Sequence, residues 1–113
     1  MKKFIVLYTA PITAHEQMHQ GSPEEMKEVM GAWMAWGDKN KSALLDFGTP
    51  LGKSLKVTKD SQGDLETNVV GFSILQAETL EQVGEMVKDH PHLNMPGGCD
   101  IEIHECLPVP GME

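Results

Sequence analysis

Arginine does not occur once in this chain of 113 residues. Without a guanidinium fork there is no bidentate clamp for a phosphate or carboxylate, so an anionic ligand would have to rely on lysine, histidine or backbone amides. Positive charge is scarce altogether: 9 lysines stand against 17 acidic residues, a formal net charge of -8. That balance argues against nucleic acid and against an anionic membrane surface, since both demand clustered positive charge. Long apolar runs are also missing, and nothing approaches the roughly 20 residues that span a bilayer. The charged start Met1-Lys2-Lys3 leads into a short apolar run, 4–8, without a small-residue cleavage site, which reads as a first strand of a cytoplasmic protein. Cysteine is limited to Cys99 and Cys106, at the two ends of a predicted strand. At about 3.3 Å per residue they stand roughly 23 Å apart, too far to pair, so they read as reduced thiols.

What is present suits one domain, residues 1–113, long enough to bury a core without staples. Ser22, Pro23 and Glu25 are a helix start, and Met26, Val29, Met30, Trp33 and Trp36 follow at helical spacing. Leu44 and Phe47 continue that spacing, which predicts a helix ending near Asp46, before Gly48 and Pro50. Residues 54–59 read as a strand, the turn formers 60–64 follow, and the run 69–76 completes a predicted β-hairpin. Thr79 with Gln82 opens a second helix whose apolar positions are Leu80, Val83 and Val87, stopped by Pro91. Ile101, Ile103 and Leu107 alternate with polar residues in a last strand. The order β-α-β-β-α-β predicts a ferredoxin-like α+β fold, a four-stranded antiparallel sheet with both helices on one face.

Two stretches invite chemistry. His15, Glu16 and His19 have the H-E-x-x-H spacing of zinc proteases, but at most seven helical residues precede Gly21 and only Met18 is apolar, so no zinc-protease site is expected there, and at most an adventitious metal site shared with His90 or His92. The topology places the exit of the first strand beside the entry of the last, which draws the His15 and His19 segment towards Asp89, His90 and His92. A histidine cluster suits proton transfer near neutral pH or binding of zinc, nickel or copper, whereas beside a helix C-terminus His90 and His92 have a structural alternative in the helix dipole. Strand alternation, with Val70, Phe72 and Ile74 facing the helices beside Ile101 and Ile103, leaves Gly71, Ser73, Glu102 and His104 on the opposite face. There a carboxylate and an imidazole could bind or deprotonate a polar ligand. Met30, Trp33, Met34 and Trp36 read as core, interface or a flat ligand wall, and Trp33 and Met34 cannot share one narrow stripe.

The stretches "GTPL" at 48–51, "GFSILQAETLEQVGEMVKDHP" at 71–91 and "IEIHECLP" at 101–108 resemble the YCII-related, DGPF-type family. The resemblance implies a ferredoxin-like fold, a sheet-to-sheet homodimer of the dimeric α+β barrel kind, and sheet order 4-1-3-2. It also implies a dyad of a first-helix histidine and an aspartate just before the proline after the second helix. Asp89-His90-Pro91 matches that aspartate only with a one-residue insertion, and the helix histidine is missing, with Trp33 and Met34 near its place. The combined expectation is a small-molecule enzyme of lyase, isomerase or dehydrochlorinase type, without cofactor. His90, Asp89 and His104 are its catalytic candidates, and Glu102, Ser73, Gly71, His92 and Trp33 its ligand-binding candidates. The alternative is a non-catalytic protein that holds a small ligand in the same cavity.

Overall fold

The computed structural model describes residues 1–11, 22–65, 67–95 and 98–111. His15, Glu16 and His19, with the short helix expected at 14–20, lie outside the described residues. Strand β1 (Lys2–Thr9) is followed by helix α1 (Pro23–Lys39), strands β2 (Leu44–Asp46), β3 (Leu55–Val57), β4 (Gln62–Asp64) and β5 (Val69–Ala77), helix α2 (Leu80–Val87), a 3-10 turn (Pro91–Asn94) and strand β6 (Asp100–Cys106). The main sheet has order β2-β5-β1-β6 and every pair is antiparallel. Both helices pack on one face through Trp36, Val83 and Val87 against Phe4, Val6 and Leu75. This is the expected α+β ferredoxin-like arrangement. No helix among the described residues is long and apolar enough to cross a membrane.

The helix starts follow local chemistry. Ser22 Oγ accepts the Glu25 N–H at 3.1 Å, with Pro23 in the first turn, where its missing donor costs nothing. Thr79 Oγ1 likewise accepts from Gln82, whose side chain accepts from the Glu78 N–H in return. Trp36 Nε1 donates to the Met86 carbonyl at 2.8 Å and joins α1 to α2.

Two expectations fail, both for non-local reasons. Helix α1 ends at Lys39 instead of near Asp46, with Asn40 capping it by turning its side-chain amide back to the Trp36 carbonyl at 3.0 Å. Leu44–Asp46 then pairs with β5 as an edge strand, helped by the Gln76 N–H donating to the Ala43 carbonyl. With that edge occupied, and Pro50 bridged to Gly71 just beyond it, residues 54–59 do not form a hairpin with β5. They close instead on β4 in a separate two-stranded ribbon, Leu55 opposite Asp64 and Val57 opposite Gln62, round a Thr58 to Ser61 turn.

From Gly71 onward the faces of β5 are also the reverse of expectation, while Val70 sits in the core as expected. Tyr8 pairs with Gly71 and Val6 with Ser73, so Gly71, Ser73 and Leu75 lie on the helix side, whereas Phe72 and Ile74 share the open face with Leu7 and Ile5. On β6 the expectation holds: Ile101 and Ile103 pack against the core, and Glu102 and His104 face away.

Candidate functional site

Pro91 sets the backbone of the 3-10 turn, and the two histidines flanking it are both drawn inward. His90 Nδ1 accepts the His92 backbone N–H at 3.0 Å, which places the proton of the neutral ring on Nε2. That ring is wholly buried in a cage of Tyr8, Trp33 and Trp36, with centroid distances of 4.9, 4.4 and 4.4 Å. Nε2 has no hydrogen-bond partner among the described residues. Burial, reinforced by the neighbouring His92, pushes the His90 pKa from 6.5 down to about 3. His90 is therefore a neutral core imidazole, and the helix-dipole alternative, which needs an imidazolium, does not describe it.

His92 differs in its contacts. Its Nε2 lies 2.9 Å from the Thr9 carbonyl, which can only accept, so Nε2 carries the proton and Nδ1 keeps the basic lone pair. Burial again lowers its pKa, opposed by the Thr9 and Asp100 backbone. The exit of β1 thus meets the 3-10 turn, as the topology led one to expect.

A second polar thread crosses the sheet. Ser73 Oγ donates to the Phe47 carbonyl at 2.6 Å, so the Tyr8 hydroxyl, 2.7 Å from the same oxygen, must donate to it. Burial raises the Tyr8 pKa to about 12, against the lowering effect of Ser73, and the phenol stays protonated. The thread fixes the loop after β2, where Gly48 takes a φ of 82°.

Between this loop, α1 and the 3-10 turn lies a pocket of about 110 Å³. Its walls are Met26, Val29, Met30 and Trp33 from α1, Phe47 to Pro50 from the loop, Val70 to Phe72 from β5, Tyr8 from β1, and His92 and Met95. Tyr8 and Trp33 meet edge to face at 4.9 Å at its base.

The sequence candidates separate into four places. Gly71, His92 and Trp33 line the pocket. Ser73 and His90 sit behind it, the first holding Tyr8 and Phe47, the second sealed against Trp33. Asp89 is exposed and bonded to Lys39 Nζ at 2.6 Å, which holds its carboxyl below the usual range and joins the ends of α1 and α2. Glu102 and His104, 3.3 Å apart and both exposed, occupy the opposite sheet face. Gly71 and Ser73 therefore do not share a face with Glu102 and His104, because the register of β1 against β5 sets their side. Of the two residues that could not share a stripe, Trp33 turns to the pocket and Met34 is exposed. Of the pocket residues, Tyr8, Phe47, Thr49, Met26 and Met95 escaped sequence reasoning, whereas Met30 reads from the sequence as a ligand-wall candidate beside Trp33. The four-residue step from Met26 to Met30 was the available signal for one wall.

No family model and no curated protein matches this sequence. In structure the chain is similar to the 5-chloro-2-hydroxyhydroquinone dehydrochlorinase of Burkholderia phenoliruptrix in complex with 2,5-dihydroxybenzoquinone, at 15% identity and a TM-score of 0.58, over 98% of this chain and 99% of that one. The likeness shows a shared fold.

Proposed function

We propose that this protein is a small-molecule enzyme of lyase, isomerase or dehydrochlorinase type, acting as a homodimer, in which His92 is the general base of the apolar pocket. The observation that carries the reading is that His92 is, among the described residues, the one imidazole on the wall of a cavity of about 110 Å³, with its tautomer held by Thr9. A neutral imidazole with its lone pair on Nδ1 can take a proton from an acidic C–H or O–H, and such catalysis contributes roughly 10²–10⁴-fold. The choice passes from His90 to His92 because His90 is sealed behind Tyr8 and Trp33. His104 and Glu102, on the open face, are polar groups of the dimer surface in this reading. A structural neighbour that holds a single-ring quinone adds support for a ligand of that size.

Purified protein, screened by mass spectrometry against single-ring hydroquinones including the neighbour's substrate, is expected to convert one of them. The His92→Gln variant should lose at least about 100-fold of that rate, and His104→Gln should keep it within about threefold. An unchanged rate in His92→Gln defeats the assignment. A non-catalytic binding protein is the second reading, favoured by the Tyr8 hydroxyl and the His90 ring being tied up internally. A compound that co-purifies and is returned unchanged selects it.

A further inference from the structure

We infer that the pocket accepts an uncharged molecule of one ring that carries its polar group inward, and rejects the same molecule as an anion or a cation. The inference rests on the pocket reading above and narrows it to a ligand class. Size limits the ring count: the pocket, about 110 Å³ and open to solvent on one side, is of the order of the roughly 150 Å³ closed cavity that holds one benzene, and has no room for a second ring. The walls select a flat apolar body: Trp33, Phe47 and Tyr8 offer ring surfaces, and Met26, Met30 and Met95 offer polarisable thioethers that pack well on aromatic edges.

Charge is excluded on both sides. No lysine and no carboxylate among the described lining residues meets the cavity, and the chain has no arginine at all. An anion seated there would lose its hydration without gaining a counter-charge, and a neutral His92 supplies none. Glu24 and Glu25, in the same first turns of α1 as Met26, and the net charge of -8 add repulsion. A cation would find ring faces, but a cation–π contact of about 0.5–2 kcal/mol does not offset desolvation with no carboxylate on the wall. The polar end of a neutral ligand, directed inward, can instead be met by the buried His92 on the wall.

Benzamide, benzoate and benzamidinium share one ring and one planar head and differ in charge, so they isolate the effect. Each is titrated at pH 7 into protein carrying ¹³C-methyl methionine, and the methyl signals of Met26, Met30 and Met95, assigned by Met→Leu variants, report on the pocket. Benzamide should shift these three saturably, with benzoate and benzamidinium binding at least about tenfold more weakly. Val29→Phe, which fills the cavity, should abolish the benzamide shifts while circular dichroism stays unchanged. Binding of benzoate or benzamidinium as tight as that of benzamide overturns the charge inference and leaves the pocket reading in place. Failure of all three to bind, or benzamide binding that persists in Val29→Phe, overturns both.

Discussion

At the scale of single residues, His90 explains why an imidazole is placed among aromatic rings where a phenylalanine would bury as well. Its Nδ1 accepts the first free N–H of the 3-10 turn, a backbone group that an apolar side chain would leave without a partner. The cost is a titration. In the unfolded chain the ring takes a proton below about pH 6.5, whereas in the fold it resists down to about 3. The unfolded state therefore binds more protons in that window, and stability, complete above it, falls as the pH falls through it, by up to about 1.4 kcal/mol per pH unit. His92 is shifted in the same direction and steepens the slope. Urea unfolding at pH 7.5 and at pH 5 should show the loss, and His90→Asn, which keeps an acceptor for the His92 N–H but does not titrate, should reduce it to the share that His92 contributes. A wild-type midpoint unchanged between the two pH values contradicts this account. The sequence marked both histidines, but it could not separate them. One is sealed by Tyr8, Trp33 and Trp36, which come from β1 and α1, far away in the chain, and no local pattern records that contact.

At the scale of elements, the legible features were those whose chemistry is local. Ser22 with Pro23 and Thr79 with Gln82 open their helices where the caps said they would, because a cap is satisfied within three residues. The end of α1 was illegible for the opposite reason. Leu44 and Phe47 suit a helical stripe as well as an edge strand, and the choice is made by β5, some thirty residues later, whose Leu75 and Ile74 pair with Leu44 and Asp46. The price of that pairing is a tight return at Gly48, in the left-handed region at φ 82°, where a Cβ would run into the Phe72 carbonyl. Gly48→Ala should therefore destabilise by at least about 2 kcal/mol, combining backbone strain with displacement of β2 from β5. Because Gly48 also lines the pocket, the variant should lose benzamide binding under conditions where it is still folded. Gly52→Ala is the control, since open space surrounds that position, and it should be close to neutral. Equal stability of the two variants in chemical denaturation would show that the loop relaxes without cost.

At the scale of the whole molecule, the decisive feature is the sheet face that neither described helix covers. The segment "VVGFSILQ" has apolar residues at both parities, Val70, Phe72 and Ile74 at one and Val69 and Leu75 at the other, so alternation alone could not orient it. A shift of one residue exchanges the two faces, and only the register against β1, Tyr8 opposite Gly71 and Leu7 opposite Phe72, decides. The outcome makes the open face less polar than alternation predicted. Leu7 beside Phe72 and Ile5 beside Ile74 form two half-buried apolar pairs at its centre, with Glu102 next to Leu7 and His104 next to Ile5 along β6. An apolar centre with a polar border is the anatomy of a protein interface, and a second copy of the same sheet is self-complementary to it about a two-fold axis. Light scattering on a size-exclusion column at micromolar concentration should accordingly give twice the 12.5 kDa chain mass. Ile74→Glu sets a carboxylate into the centre of that face, where the symmetry of a dimer would place two such charges close together. It should yield a folded 12.5 kDa species with unchanged circular dichroism, since Ile74 points away from the helix-side core. A wild-type protein that elutes as a monomer, or an Ile74→Glu protein that remains dimeric, removes the open sheet face from the assembly.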